Sequence, residues 1–507
     1  MSGYKSGIDR CQIEMSSLED KVSSISMARV IDRFIEVTDT EKIGFTKSRP
    51  AKTGRPAYPP KAMCKLYVYG YENGIRSSRK LERETLRNIE VMWLMDSLTP
   101  DYKTISEFRR ENTRPLQKLL REFVKLCKAW ELVGGELIAT DGSKFKASNN
   151  KKNNFSRKKI DARLMRIEAK VKQYMGELES ADKTEEADHP EQPDKIAQLQ
   201  QLLGRKEQYE EYKRILDETG ENELSTVDPD ARLMGNNRGG VEVSYNIQSA
   251  VDSKHDIVVA CDVSKNPSDQ HQLGTMVKKV KRILKIHRFT VLADKGYYNG
   301  KDLLRVKKLK VRAIVAKQKP SNPKKLPEKY RSEYFKYDKV ADTFTCPAGQ
   351  VLATKNRKTA KSRYTNKQAC ATCPHKSDCI IGKMKFRTIT RGEYSVIYDE
   401  TDKCFKENQE LYRRRQEIVE HPFGTIKHSM NGGYFLLRTR RKVRAEIALL
   451  FLGYNLKRAV KVLGFEGIMA RLDSLSSSIR ASVAKLPAFL GFYKNLAPDL
   501  RFSFVVL

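Results

Sequence analysis

Two short apolar runs end in the same way, and they constrain the fold of this chain more than any other feature. In FTVLADKGYYNG (289–300), Phe289 to Leu292 are apolar or β-branched and bounded by polar residues, which predicts a short buried strand. Asp294 stands where that strand should end, Lys295 and Gly296 turn the chain, and Asn299 is placed to cap the helix predicted by KDLLRVKKL (301–309). In GELIATDGSKFKA (135–147), Leu137 to Thr140 predict a second short strand, ended by Asp141 before Gly142. A carboxylate at the carboxyl end of an interior strand can project into a cleft on a rigid support. Asp before Gly is also a common turn pair, so the neighbours have to decide between the two roles.

The neighbours predict a mixed α/β domain with insertions. VEVSYNIQSAVDS (241–253) and DIVVACDVS (256–264) read as a β-hairpin turning across 253–255, and VRAIVAK (311–317) reads as a last strand. SDQHQLGTMVKKVKRILKI (268–286) is a helix, with Asp269 and Gln272 read as its N-terminal capping pair. Ahead of the strands, 59–132 is helical. PPKAMCKLYVYGYENG stops at Asn73-Gly74, Ser77 or Ser78 caps the next helix, and Thr104 with Glu107 forms a capping box for the one after. Between the strand regions, Ile160, Leu164, Ile167, Val171, Met175 and Leu178 recur at helical spacing. Ile196, Leu199, Leu203, Tyr209 and Ile215 resume the pattern, which predicts an antiparallel helical hairpin of structural role.

The resulting organisation is a polar segment and proline-rich linker (1–58), a helical DNA-binding domain (59–132) and a first catalytic part (133–153). The helical hairpin insertion (154–222), a second catalytic part (223–318) and a basic, Cys-rich insertion (319–402) follow. A last catalytic helix region (403–464) and a C-terminal tail (465–507) complete the chain.

Charge decides the class of partner. Against 63 Asp and Glu stand 97 Lys and Arg, a net charge of +34. Such an excess argues for a polyanion, nucleic acid before an anionic membrane surface. The longest apolar run, IALLFLGYNL (447–456), falls well short of the ~20 residues that span a bilayer and predicts a buried helix. The N-terminal MSGYKSGIDR has no apolar signal core, and nine cysteines in so long a chain predict reduced thiols in a cytoplasmic protein. Cys346 in CPAGQ, with Cys370, Cys373 and Cys379 in CATCPHKSDC, has the character of a zinc ribbon, with unmetallated thiols as the alternative.

The third acid comes from LYRRRQEIVEHPFGTIKHSMNGGYFLLRTRRKVRAE (411–446). Glu420 and Lys427 are seven residues apart and so share one helical face, although Pro422 between them predicts a kink. LRTRRKVR places Arg438, Arg440 and Arg441 in a cationic run suited to DNA contact. Asp141, Asp294 and Glu420 around one cleft would make an oxygen-donor site for hard divalent ions. Two such ions, about 3.5–4 Å apart, suit in-line phosphoryl displacement.

These motifs resemble bacterial insertion-sequence transposases of the DDE type. The resemblance runs from about Pro59 to Arg458 through YPPKAMCKLYVYGYENGIRSSRKLERET, PDYKTISEFRREN, IATDGSKFKA, YNIQSAVDSKHDIV, VLADKGYYNG, CPAGQ with CATCP, and IVEHPFGTIK. It implies a ribonuclease-H-like mixed sheet flanked by helices. It implies Asp141, Asp294 and Glu420 as catalytic residues binding two Mg²⁺ or Mn²⁺ ions; one structural Zn²⁺ at the cysteines is expected from their spacing alone. Terminal inverted repeats and target DNA would be the partners of a dimer acting at the bacterial nucleoid, with no membrane. Lys427 matches a lysine that follows the glutamate by seven residues in related transposases. The accompanying Tyr and Arg are displaced: Tyr412 and Arg415 lie one residue early, with Arg413 and Gln416 in the expected places. Arg415 and Lys295 are candidate DNA contacts beside Lys427. A nuclease of the same fold without strand transfer, or a non-catalytic DNA-binding derivative, remains open at this point.

Overall fold

The computed structural model describes residues 11, 15–49, 53, 56–183, 192–235, 239–318, 326–354, 361–380 and 384–496. Most of the proline-rich linker before Pro56, the acidic break between the hairpin helices and the end of the tail lie outside the described residues. The chain divides into two compact units. The first comprises Met1–Gly134, Gly142–Ser268 and Val419–Leu507, and the second Gly135–Asp141 and Asp269–Ile418.

In chain order the main helices are α1 (Met27–Glu36), α2 (Pro60–Glu72), α3 (Ser78–Arg87), α4 (Ile89–Leu94), α5 (Tyr102–Glu111) and α6 (Thr113–Ala129). After them come α7 (Arg157–Lys183), α8 (Gln192–Thr219), α9 (Leu273–Leu284), α10 (Gly300–Lys308), α11 (Ser395–Glu407), α12 (Gln409–His428) and α13 (Arg440–Leu496). The strands are β1 (Leu137–Lys146), β2 (Asn154–Ser156), β3 (Glu223–Ser225), β4 (Arg232–Gly235), β5 (Val241–Asp252), β6 (Val258–Ser264), β7 (Thr290–Ala293) and β8 (Arg312–Val315). A later group comprises β9 (Lys336–Asp338), β10 (Thr343–Thr345), β11 (Val351–Thr354), β12 (Lys361–Thr365) and β13 (Thr388–Gly392).

The first unit is built on α2. Its residues from Ala62 to Glu72 are all buried, so the helix is covered on every side, as a helix that is apolar nearly all round must be. α13 packs on α1, α2 and α6, and Ile447 to Leu452 are buried, as IALLFLGYNL predicts. Gly464 (φ 71°) breaks α13 into two helices. β4, β5 and β6 pair antiparallel, with Asn246 opposite Ser264 and an irregularity at Ala250/Val251. Buried Asn455 of α13 brackets β6: its Oδ1 accepts from the Val258 N–H and its Nδ2 donates to the Val258 carbonyl, each at 2.9 Å. The short β2–β3 ladder ties the two ends of the α7–α8 hairpin together. The hairpin core gathers Phe155, Ile160, Ile167, Tyr209 and Leu216 near that base. Leu216 takes the buried place expected for Ile215, while Met175, Ile196 and Leu203 are exposed. The apolar spacing is therefore used only where the ladder and Phe155 supply something to pack against.

The second unit carries parallel strands in the order β1-β7-β8. α10 connects β7 to β8, and Asn299 caps it as expected, its side chain accepting from the Asp302 N–H. α11 packs on α10 and β8. A separate five-stranded antiparallel sheet, order β13-β12-β11-β10-β9, closes over Phe335, Phe344, Leu352, Tyr364 and Ile389.

Two local expectations are corrected. β1 does not stop at Asp141 but runs on to Lys146; Phe145 is buried against Phe423 and Phe435, which rewards continuing the pleat. α5 is capped by Asp101, whose side chain accepts from the Thr104 N–H at 2.7 Å, so Thr104 lies in the first turn and Glu107 pairs with Arg110 instead. Pro422 lies inside α12, which continues to His428.

Candidate active site

β1 and β7 run parallel, with Thr140 level with Ala293. The next residues are Asp141 and Asp294, so the two carboxylates leave neighbouring strands, about 4.8 Å apart, at the same carboxyl edge. Behind them Ile138, Ala139, Val291, Leu292 and Ala293 are buried, which holds both aspartates on rigid backbone. Asp294 is half-buried, and its Oδ1 accepts from the Gly296 N–H at 2.8 Å. A Cβ on Gly296 would come within 3.0 Å of Asp294 Oδ1 and 3.4 Å of Asp269 Oδ2. A side chain at 296 would crowd both carboxylates.

Asp269 is the residue that sequence reasoning misplaced. The N-cap of α9 is Gln272, and no side chain makes a cap bond there; the Asp269 carboxylate faces the Asp294 turn instead. An acid three residues before an N-cap has the same local signature in either role, and no feature of the sequence distinguishes them. Burial, first, and the nearby Asp269 charge raise the Asp294 carboxyl above its usual range, while the Gly296 N–H, Arg415 and Lys295 act in the opposite sense. Arg415 reaches Asp141 at 3.7 Å, an ion pair rather than a hydrogen bond, and its guanidinium stands 5.8 Å from the Tyr412 ring. Buried Nη1 of Arg415 has no hydrogen-bond partner. Tyr297 is fully buried, and its hydroxyl is pushed well up by burial, with Asp269, Asp141 and Asp294 adding to the shift.

The remaining site residues fall in two places. Lys295 is exposed in the second unit. Glu420 belongs to the first unit and is exposed on α12. In that same unit, Lys427 donates to Ser143 Oγ at 2.7 Å and lies 4.9 Å from the Phe145 ring. Arg438 and Arg441 are exposed and Arg440 is half-buried. The backbone beside them is pinned, because Asp228 accepts from the Thr439 N–H and Asp230 from the Arg440 N–H.

Among the described residues, no three His, Cys, Asp or Glu side chains stand close enough together to hold a metal ion. The donor chemistry nevertheless fits a hard cation. Asp141 and Asp294 supply carboxylate oxygens from adjacent strands, just past the last paired residues, and crowding of Asp294 by Asp269 is the repulsion that a divalent ion relieves. The cysteines converge in their own subdomain: Cys346, Cys370, Cys373 and Cys379 line one cavity of about 30 Å³, together with His375. Cys346 Sγ accepts from the Gln350 N–H at 3.3 Å across the turn at Gly349. None of the nine cysteines is in a disulfide. Among the described residues, no helix is long and apolar enough to cross a membrane.

Two aspartates side by side at the carboxyl edge of parallel strands, in a chain of net charge +34, define an oxygen-donor site on a protein suited to polyanions. Residues 218–456 match the family model of the transposase DDE domain, and residues 16–111 match that of the transposase domain DUF772. The chain thus has the two domains of a DDE-type transposase. No curated protein gives a significant match. Among solved structures, a piggyBac transposase synaptic complex with hairpin DNA is 10% identical, with 95% of this chain and 87% of that chain covered. Its TM-score is 0.29, too low to bear on the fold.

Proposed function

We propose that this chain binds the terminal inverted repeats of its own element, cuts DNA at their ends and joins the freed 3′-hydroxyl to target DNA. In this reading the catalytic core is ribonuclease-H-like, Asp141, Asp294 and Glu420 hold the metal ions, and two chains act together on the DNA. The observation that supports it most is the register that sets Asp141 beside Asp294. Divalent ions at such acids would supply activation of water or a 3′-hydroxyl and stabilisation of the leaving oxygen. The side chains of this chain do the rest. The buried strand ends hold the carboxylates still, Arg415 balances the charge of Asp141, and Lys295, Lys427 and the Arg438–Arg441 run offer cations to the phosphate backbone.

The test is a cleavage and joining assay on DNA carrying the element's ends, with Mg²⁺ or Mn²⁺. Asp294→Ala should abolish both steps while leaving DNA binding in place. Cutting without joining would favour a nuclease of the same fold. Full activity in Asp294→Ala would refute the assignment of the site.

We also propose that the four cysteines hold a structural zinc ion. The Gln350 N–H donates to the Cys346 sulfur, and all four cysteines line one cavity. Among the described residues the adjoining sheet closes over five buried side chains, a small core that gains from a staple.

A further inference from the structure

The helical first part of the chain contains an open groove of about 580 Å³ between α3 and α5. Ser77, Ser78 and Arg79 line one side; Tyr102, Lys103, Ser106, Glu107 and Arg110 line the other. Every side chain facing it is polar or charged apart from the Tyr102 ring. Lys103, Ser106 and Arg110 recur every three or four residues, so they form one exposed face of α5. Glu107 is the one acid, and it is tied to Arg110 at 2.5 Å. That pair is neutral together, which leaves Arg79 and Lys103 as the net charge of the groove. The Arg79 guanidinium stands 5.1 Å from the centre of the Tyr102 ring. This contact fixes the side chain against one wall and still leaves its N–H groups available to an anion. At the end of α3, Ser77 makes no side-chain bond to its own helix.

We propose that this groove grips the phosphate backbone of double-stranded DNA, a contact separate from the aspartate site. The proposal rests on the reading of the chain as a DNA-acting transposase and assigns part of its grip to named residues. Two exposed cations, one of them held against the Tyr102 ring, beside serine hydroxyls in an open trough suit an extended polyanion rather than a small apolar ligand. Because the partners are phosphates and not base edges, the contact adds affinity equally for any sequence.

The experiment measures binding of a labelled duplex of arbitrary sequence to the full chain over a range of salt. Each phosphate neutralised contributes about −0.9 to the slope of log K against log salt. Arg79→Ala with Lys103→Ala should therefore make the slope shallower by about 1.8. A control with the same loss of charge, Lys170→Ala with Lys172→Ala on exposed positions of α7, should leave the slope unchanged. Unaltered tryptophan fluorescence would confirm that both variants are folded. An unchanged slope in the groove variant, or an equal loss in both variants, overturns the proposal. If wild type then still cuts and joins its element's ends, only the groove assignment has failed. If wild type shows no salt-dependent binding to DNA at all, the transposase reading falls with it.

Discussion

Arg76→Ala should be among the most damaging substitutions in the first unit, although Arg76 lies outside both the aspartate site and the groove. The Arg76 side chain is 2% exposed and that of its partner Glu446 is 0% exposed, with 3.1 Å between them. Arg76 also donates to the carbonyls of Tyr434 at 2.6 Å and Asn431 at 2.7 Å, and its guanidinium lies 4.4 Å from the Tyr434 ring. Glu446 in turn accepts from the Leu436 and Leu437 N–H groups. The pair thus pins the loop that follows α12 to the helical part of the unit. Removing one member of a buried pair strands the other charge, at a cost of about 3–5 kcal/mol. Burial already raises the Glu446 carboxyl above its usual range, while Arg76 and the two N–H groups pull it back. A folded-state pKa above the unfolded one means that stability is fully present at low pH and is lost as pH rises through the folded value. Without Arg76 that value climbs further, so the deficit should be larger at pH 8 than at pH 5. Guanidinium unfolding followed by tryptophan fluorescence reads this directly, because Trp93 and Trp130 both lie in the first unit. Arg76→Met combined with Glu446→Gln should recover most of the loss. A deficit below about 1 kcal/mol at pH 8, or one that grows on acidification, would refute the argument.

Two further outcomes are expected. Protein purified without chelator should carry about one zinc per chain by metal analysis, and Cys370→Ser with Cys373→Ser should lose it; a wild-type chain free of zinc would sink the metal assignment. Gly300→Ala should destabilise the second unit by about 1–3 kcal/mol, because a Cβ there overlaps the Tyr394 side chain and crowds Tyr398, whose hydroxyl accepts from the Gly300 N–H. Thermal unfolding of the variant would check this, and an unchanged melting temperature would show that α11 can shift to make room.

Much of the local structure was legible in the sequence because its determinants are local. The apolar run at 289–293, the β-hairpin at 241–264, the Asn299 cap and the buried helix at 447–456 each depend on neighbours a few residues away. The errors share one cause. At α5, Asp101 and Thr104 are both good caps, and only the observed start of the helix chooses between them. In the α7–α8 hairpin the apolar spacing is uniform, yet Met175, Ile196 and Leu203 stay exposed because no further element packs on them among the described residues.

By itself, the sequence determined the class of partner, through its net charge of +34, and the strand that ends at Asp294, through residue type and apolar pattern. It also determined that the chain resembles DDE-type transposases, which the family comparisons bear out. Only the tertiary structure decided that Asp141 and Asp294 stand side by side, since parallel register is set by pairing between segments some 150 residues apart. It alone brought Asp269 to Asp294, Arg415 to Asp141 and Arg76 to Glu446. A charge in a sequence is the same letter whether it faces water or another charge. Burial and distance give it a role, and both are properties of the folded chain.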